Sequence, residues 1–403
     1  MINVAILGFG TVGSGVAEVL TENRELISSR VGQEVRLRYI VDIRDFPGSP
    51  YAPLFQKDFS VVEQDPKVDV VVETIGGARV ALDFTSRALR AGKSVVTSNK
   101  ELVATHGYEL LKLAEEHGCH YLFEASVGGG IPILRPLVND LAANEIEEIT
   151  GILNGTTNYI LTRMIRAGMS FEEALQEAQA NGYAEQDPTA DVEGFDACRK
   201  VCILSALAFG QHVYPEQVAT EGIRGVTLED VAYAGSEGFK IKLLGRCMRL
   251  PGGRVRAFAA PHLVPQDSPL AGVEDVFNAI MVKGNAVGDV MFYGRGAGKL
   301  PTASAVVADI VDLSRDLKKP RYFSWGPGSP DLVEDGSGLS SRWYVRAEIS
   351  AESAEKACGG IRLLTRSGAP AGETAFLTAS MTGPQLKERL GAVVPHSLFR
   401  VLD

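Results

Sequence analysis

The sequence predicts an α/β protein in three parts: a doubly wound parallel sheet, an α+β domain, and a small ferredoxin-like domain at the C-terminus. Three observations carry this. Short apolar runs alternate with helical patterns over residues 2–124. The middle turns to helices followed by hairpin strands. Residues 342–403 restart in the order β-α-β-β-α-β.

Ile2–Leu7 is an apolar run ending in glycines, and Thr11–Ser29 after it reads as a helix. Val35–Asp42 is a second strand, followed by a loop with Pro47, Pro50 and Pro53. Val68–Glu73 is rich in β-branched residues, as a strand buried on both faces should be. Arg79–Ala91 and Tyr108–His117 read as helices, Ser94–Thr97 and His120–Glu124 as strands. Five strands with helices between them favour parallel order. In the middle, Ile146–Leu153 reads as a strand, and Asn158–Ala167, Phe171–Ala180 and Val192–Phe209 as helices. Lys240–Leu250 and Val255–Val264 flank Pro251-Gly252-Gly253, a hairpin signal. Val276–Lys283 and Asp289–Tyr293 add strands, and Thr302–Arg315 is a helix expected to pack back onto the first domain. The expected domains are 1–135 completed by 295–317, then 136–294, a linker at 318–341 rich in Pro, Gly and Ser, and 342–403. In the last, Trp343–Ile349, Gly360–Thr365, Thr374–Ser380 and Ser397–Leu402 are strands, with helices at Ser353–Cys358 and Pro384–Leu390.

The chain has 403 residues, 45% hydrophobic and 22% charged, a globular balance that excludes disordered and collagen-like classes. A formal charge of −10 gives no electrostatic gain on nucleic acid or an anionic membrane, so neither partner is expected. Five cysteines are not a disulfide framework, and the Cys198/Cys202 spacing suits two core thiols better than a metal site. The start lacks the basic region of a signal peptide, and the cytoplasm is the expected compartment.

Gly8-Phe9-Gly10-Thr11-Val12-Gly13 follows the first strand and opens a helix, the setting of a Rossmann dinucleotide fingerprint. Gly8 permits the turn, Gly10 lets backbone approach a pyrophosphate, and Gly13 allows close helix–strand packing. Asp42 ends the second strand, where a ribose 2′-hydroxyl would sit. Arg44 could instead neutralise a 2′-phosphate, so NAD and NADP both stay open. Thr97-Ser98-Asn99-Lys100 follows the fourth strand, on the ligand-binding side of such sheets. Glu124-Ala125-Ser126-Val127-Gly128-Gly129-Gly130-Ile131-Pro132 follows the fifth. Its glycines suit either a crossover between domains or a cation site of backbone carbonyls. Gly294-Arg295-Gly296-Ala297-Gly298-Lys299 is a further glycine loop. Leu300 replaces the Ser or Thr of a Walker A motif, so the loop is expected to close over the cofactor instead. The densest segment runs from Gly182 to Lys200 and holds Glu185, Asp187, Asp191, Glu193 and Asp196. Asp196 and Lys200 share one helix face. They form either a solvated pair or the mouth of a site, where a lysine beside a carboxylate can protonate a developing alkoxide.

These motifs resemble those of the homoserine dehydrogenase family over residues 1–320. The resemblance rests on the Gly8–Gly13 loop, Thr97–Lys100, Glu124–Pro132, Asn154-Gly155-Thr156-Thr157-Asn158-Tyr159-Ile160 and Gly296-Ala297-Gly298. It rests most on the spaced pattern from Ala178 and Gly182 through Asp187-Pro188, Asp191, Gly194 and Asp196 to Lys200. It implies reversible reduction of L-aspartate 4-semialdehyde to L-homoserine with NADP or NAD, towards threonine and methionine. It implies Lys200 as proton donor, Glu185 and Asp196 as amino-acid ligands with Asp191 beside them, and Lys100 where nicotinamide and substrate meet. Gly182 and Gly298 would touch the cofactor. Glu124, Val127, Gly129 and Ile131 would hold a monovalent cation, sodium or potassium, largely through carbonyls. A homodimer or homotetramer built through the middle domain is implied too.

Residues 342–403 resemble an ACT-type domain in strand order only. Such domains carry an Asp-x-x-Gly-type turn after the first strand, and Ser350-Ala351-Glu352-Ser353 lacks it. The expectation is a part in assembly or stability, not threonine sensing. Another Rossmann-type oxidoreductase, or a non-catalytic dinucleotide sensor, would share the first loop. A sensor would not need Lys200 together with Asp196 and Glu185.

Overall fold

The computed structural model describes residues 1–317 and 323–403, so the first part of the predicted linker, 318–322, lies outside the described residues. The chain divides into two compact units. The first comprises Met1–Glu145, Cys202–Pro215 and Gly294–Ser329; the second comprises Ile146–Val201, Glu216–Tyr293 and Pro330–Asp403.

The elements run β1 (Ile2–Leu7), α1 (Thr11–Glu22), α2 (Arg24–Val31), β2 (Val35–Val41), β3 (Phe55–Gln56), α3 (Ser60–Gln64), β4 (Val70–Glu73), α4 (Arg79–Arg90), β5 (Ser94–Thr97), α5 (Lys100–Glu116) and β6 (Tyr121–Leu122). After these come β7 (Ile146–Ile152), α6 (Gly155–Ala167), α7 (Phe171–Ala180), α8 (Thr189–Val192), α9 (Phe195–Phe209), β8 (Ala219–Thr220), α10 (Leu228–Ser236), β9 (Phe239–Arg249), β10 (Val255–Pro265), β11 (Phe277–Gly284), β12 (Gly288–Arg295) and α11 (Lys299–Ser314). The chain ends with β13 (Val333–Glu334), β14 (Trp343–Glu348), α12 (Ala351–Cys358), β15 (Arg362–Leu364), β16 (Glu373–Leu377), α13 (Gly383–Leu390) and β17 (Ser397–Val401).

The first unit holds a parallel sheet in the order β3-β2-β1-β4-β5-β6, the doubly wound order of dinucleotide-binding folds. Its central strands are buried on both faces, which is why Val70-Val71-Val72 needs no polar alternation. Helix α11 belongs to this unit. It lies so close to α1 that a Cβ on Gly15 would come within 2.8 Å of the Lys299 carbonyl oxygen.

Several boundaries differ from the sequence reading. The predicted Thr11–Ser29 helix divides at Asn23, which ends α1 and begins α2. Helix α5 starts at Lys100 rather than Tyr108. The Asn99 side chain caps it by accepting from Leu102 N, and non-helical backbone at His106 breaks the pattern just before Tyr108. The predicted His120–Glu124 strand stops at Leu122, where the chain turns so that Glu124 can bind the backbone of residues 133–135. The two-residue strand β3 follows directly on the proline loop.

The second unit is built on a sheet in the order β12-β11-β7-β9-β10-β17-β14-β16-β15. The β9–β10 hairpin turns at Pro251–Gly253, as expected. Helix α10 was not foreseen, although Thr227 and Asp230 form a capping box at its start. The C-terminal β-α-β-β-α-β segment has the expected strand order, β17-β14-β16-β15, over a core of Trp343, Val345, Phe376, Leu386 and Leu390. It continues the sheet of the middle segment: β17 pairs in parallel with β10, Leu263 opposite Val401. Nor is the predicted linker structureless where it is described. Phe323 and Trp325 are buried, Trp325 Nε1 donates to His212 Nδ1 at 3.1 Å, and β13 pairs with β10. Among the described residues, no helix is long and apolar enough to cross a membrane.

Buried polar groups fix the C-terminal segment to α10. Asp230 Oδ1 accepts from Tyr344 Oη and Arg346 Nε, each at 2.8 Å, and Oδ2 accepts from Ser397 Oγ at 2.8 Å. Arg346 Nη1 reaches Glu373 at 3.1 Å. Removing one partner leaves a buried charge uncompensated. Arg346→Ala is therefore expected to lower stability by about 3–5 kcal/mol in urea unfolding. A loss below about 1 kcal/mol would give the network only the weight of a surface ion pair.

Candidate active site

In the first unit, the loop after β1 is shaped by close backbone approach. A Cβ on Gly13 would lie 1.9 Å from the Gly8 carbonyl oxygen, so no side chain fits there. Gly8 has φ +87 and faces Thr74. Gly10 is the N-cap of α1 without a side-chain cap, and Arg44 Nη2, 4.0 Å away, is the nearest atom its Cβ would meet. Open space before uncapped N–H groups at Thr11, Val12 and Gly13 is what a pyrophosphate needs. Phe9 turns its ring edge-on to Phe46, Tyr51 and Phe55.

Asp42 closes the same loop. Its Oδ2 accepts from Phe9 N at 2.7 Å and Arg44 Nη2 at 2.9 Å. Its Oδ1 accepts from Arg44 N at 2.9 Å and Nε at 3.1 Å. The Arg44 guanidinium, aided by these N–H groups, holds the carboxyl down to about 2. Arg44 itself is exposed, above the Phe46 ring.

Thr97 ends β5 and is fully buried, and Lys100 opens α5. The Glu124–Ile131 loop is buried except at Gly130. Glu124 Oε1 accepts from Ile133 N at 2.6 Å and Leu134 N at 2.8 Å; Oε2 accepts from Arg135 N at 2.8 Å. That carboxylate is committed to the backbone, so Glu124 can serve a cation only through its carbonyl. The other predicted ligands, Val127, Gly129 and Ile131, would likewise offer carbonyls. Among the described residues no cluster of His, Cys, Asp and Glu could hold a metal ion. The two later glycine loops meet. A Cβ on Gly129 would fall 2.2 Å from Gly296 O, and Gly130 N donates to Arg295 O at 3.0 Å. Gly298 precedes α11, and Lys299 pairs with Glu18.

In the second unit, Lys200 and Asp196 are buried together on α9. Lys200 Nζ donates to Asp196 Oδ2 and to the Leu153 carbonyl, both at 2.7 Å. Asn154 completes the cluster. Its Nδ2 bridges Asp191 Oδ1 at 2.6 Å and Asp196 Oδ2 at 2.9 Å, while its Oδ1 caps α6 by accepting from Thr157 N at 2.8 Å. The pair is thus no solvated charge run. Glu185 is not drawn into it: its carboxylate is exposed, and its carbonyl accepts from Gln179. Gly182 lies exposed just beyond α7. The loop that carries both is tied to α6, where Thr156 Oγ1 donates to Tyr183 O at 2.6 Å. Asn154 and the Leu153 carbonyl were missing from the predicted site. An Asn before Gly-Thr-Thr is a readable cap signal, but its second role depends on residues far along the chain. Cys198 and Cys202 are buried and form no disulfide, in keeping with core thiols.

A phosphate-cradling glycine loop on a doubly wound sheet, with a buried lysine–carboxylate pair on the second unit, defines the class: an NAD(P)-dependent oxidoreductase. The homoserine dehydrogenase family model matches residues 132–311, and the model of the homoserine dehydrogenase NAD-binding domain matches residues 8–124. The chain is 44% identical over 359 residues to a homoserine dehydrogenase of Bacillus subtilis, covering 87% of this chain and 82% of that one. Its fold matches the crystal structure of a homoserine dehydrogenase from Thiobacillus denitrificans with a TM-score of 0.90 at 35% identity, over 100% of this chain and 98% of that one. A hyperthermophilic archaeal homoserine dehydrogenase in complex with NADPH matches with a TM-score of 0.66 at 28% identity, over 80% of this chain and 99% of that one. The chain belongs to the homoserine dehydrogenase family.

Asn154→Ala removes the amide that bridges two carboxylates and the cap of α6. It is expected to cost about 1–3 kcal/mol in thermal or urea unfolding. Unchanged stability would show that the bridge carries no weight.

Proposed function

We propose that this protein reversibly converts L-aspartate 4-semialdehyde to L-homoserine with NADPH or NADH, a step towards threonine and methionine. The observation that carries this reading is Lys200, a buried ammonium aimed by Asp196 and the Leu153 carbonyl. When bound, the nicotinamide supplies a hydride to the aldehyde carbon. Gly8 to Gly13 would hold its pyrophosphate, Asp42 and Arg44 its adenosine ribose, and Thr97 and Lys100 the nicotinamide side, with Gly182 and Gly298 as further contacts. Lys200 donates its proton to the carbonyl oxygen as negative charge develops there. Glu185, Asp191 and Asp196 hold the α-ammonium of the amino acid, a role their charge suits. Exposed Arg44 beside the loop favours a 2′-phosphate, while Asp42 keeps NAD in play. Sodium or potassium would sit on the carbonyls of Glu124, Val127, Gly129 and Ile131 and order that loop.

The same reading extends to the whole chain. A homodimer or homotetramer is supported by large apolar side chains exposed on β12, Met291 at 39% and Tyr293 at 53%. Five buried cysteines without a disulfide support a cytoplasmic home. The shared sheet supports a role in stability or assembly for the C-terminal segment, whose likeness to ACT domains is one of strand order.

Lys200→Ala should lose about 10²-fold or more in kcat while binding of reduced cofactor persists. Asp196→Ala should chiefly raise KM for homoserine. Unchanged kcat and KM would remove either residue from the site. The assay is homoserine-dependent formation of reduced nicotinamide, run with NAD and with NADP. Replacing choline by potassium or sodium at constant ionic strength should raise the rate, and no response would remove the cation. Millimolar threonine should leave the rate unchanged, and clear inhibition would overturn the reading of the C-terminal segment. Size-exclusion chromatography with light scattering should give a dimer or tetramer; a monomer would overturn the assembly reading. Fractionation of the source cells checks the compartment, and recovery with membranes would contradict it.

A further inference from the structure

Glu73 is a buried carboxylate that the proposed chemistry does not use. It ends β4 at the carboxyl edge of the parallel sheet, between β1 and β5, with Thr97 as its ladder partner on β5. Both residues are fully buried. Glu73 Oε1 accepts from Ile75 N at 2.6 Å, and Oε2 accepts from Thr97 Oγ1 at 2.6 Å. Thr97 Oγ1 in turn accepts from Asn99 N at 2.9 Å. Asn99 Nδ2 donates to Ile75 O at 3.0 Å and Gly77 O at 2.8 Å, and its Oδ1 accepts from Leu102 N at 3.0 Å. The contacts close a ring, Glu73–Thr97–Asn99–Ile75, joining the loops that leave β4 and β5. The next residue in the chain after Asn99 is Lys100.

We propose that Glu73 is a positioning residue for the hydride-transfer site, fixing through Thr97 and Asn99 the backbone from which Lys100 projects. This rests on the role given above to Thr97 and Lys100. A carboxyl group suits the place because each of its oxygens accepts one donor, Ile75 N–H on one side and the Thr97 hydroxyl on the other. A glutamine of the same size offers one oxygen and an NH2 group, so one of the two donors loses its acceptor. Leucine would lose both. Full burial costs the ionised form and pushes this carboxyl up to about 7, and Tyr121 on β6 senses its charge. Both oxygens accept in this ring, as those of an ionised carboxylate do.

The test is a double-mutant cycle in the full-length enzyme: Glu73→Gln, Thr97→Val and the two combined, with Thr97→Ser as the conservative control. Glu73→Gln should lower kcat between about tenfold and hundredfold, the scale of a misplaced reacting group, with KM for homoserine nearly unchanged. The double variant should be no worse than Thr97→Val alone, because both changes break one ring. Thr97→Ser keeps the hydroxyl and should retain most of the activity. The proposal is overturned by wild-type kcat in Glu73→Gln, or by effects of the two changes that multiply independently. If Glu73→Gln does not fold, the Thr97→Val and Thr97→Ser pair decides, and equal kcat in the two overturns it. A wild-type enzyme inactive on homoserine with either cofactor would instead refute the functional reading beneath.

Discussion

In the second unit, several elements converge on the buried ammonium of Lys200. A lysine charge taken from water is costly unless it is paired and hydrogen-bonded. Lys200 meets that condition through Asp196, one turn earlier on α9, and through the carbonyl of Leu153. The carbonyl is available because β7 ends at Ile152 and the chain turns there into α6. Asn154 caps α6 and spans the two aspartates in the same stroke. For α9 to lie this near the sheet, β9 must carry no side chain at Gly245, whose Cβ would stand 2.6 Å from Val201 Cγ2 and 2.7 Å from Leu153 Cδ1. A packing requirement and a charge requirement thus fix the same few atoms.

The first unit solves a related problem with carboxylates. Strands of a parallel sheet end in loops whose N–H groups have left the ladder and still need acceptors. Asp42 takes Phe9 N, Glu73 takes Ile75 N, and Glu124 takes three N–H groups at residues 133–135. Each holds a loop on the ligand-binding side of the sheet. Their environments differ, and so does their chemistry. Asp42, buried but bonded to the exposed Arg44, stays ionised into strong acid. Glu73, sealed from water, titrates near neutrality. Loops held in this way present their backbone to a ligand without first having to be ordered.

Much of this was legible in the sequence where a pattern is local. The glycine loop, the β-branched run at Val70–Glu73 and the alternation of elements gave the parallel sheet. The four-residue spacing gave the Asp196/Lys200 face. What the sequence could not separate was one acid from another: Glu185, Asp191 and Asp196 look alike in a charged run, yet the last is buried and the first is exposed. Asn154 opens the Asn-Gly-Thr-Thr motif, but its contacts lie 37 and 42 residues away. The short strands β3 and β13 have no period to detect, and each exists because a longer neighbour supplies the ladder. Helix α10 carries a readable capping box in Thr227 and Asp230.

The C-terminal segment shows what a buried ion network does best. Replacing such a network with apolar groups often costs little, so its presence argues less for stability than for a single arrangement. Asp230 is at once the capping-box partner of Thr227 in α10 and the acceptor for Tyr344, Arg346 and Ser397, which lie on neighbouring strands β14 and β17. A register slip of β14 by one residue would turn Tyr344 and Arg346 to the opposite face and away from Asp230, and a slip of β17 would turn Ser397 away. The parallel pairing of β17 with β10 adds a second constraint on the same strand. A module that relays an effector signal needs two arrangements close in free energy. With both constraints on β17, an alternative arrangement must break a sheet ladder and take a buried donor from Asp230 together.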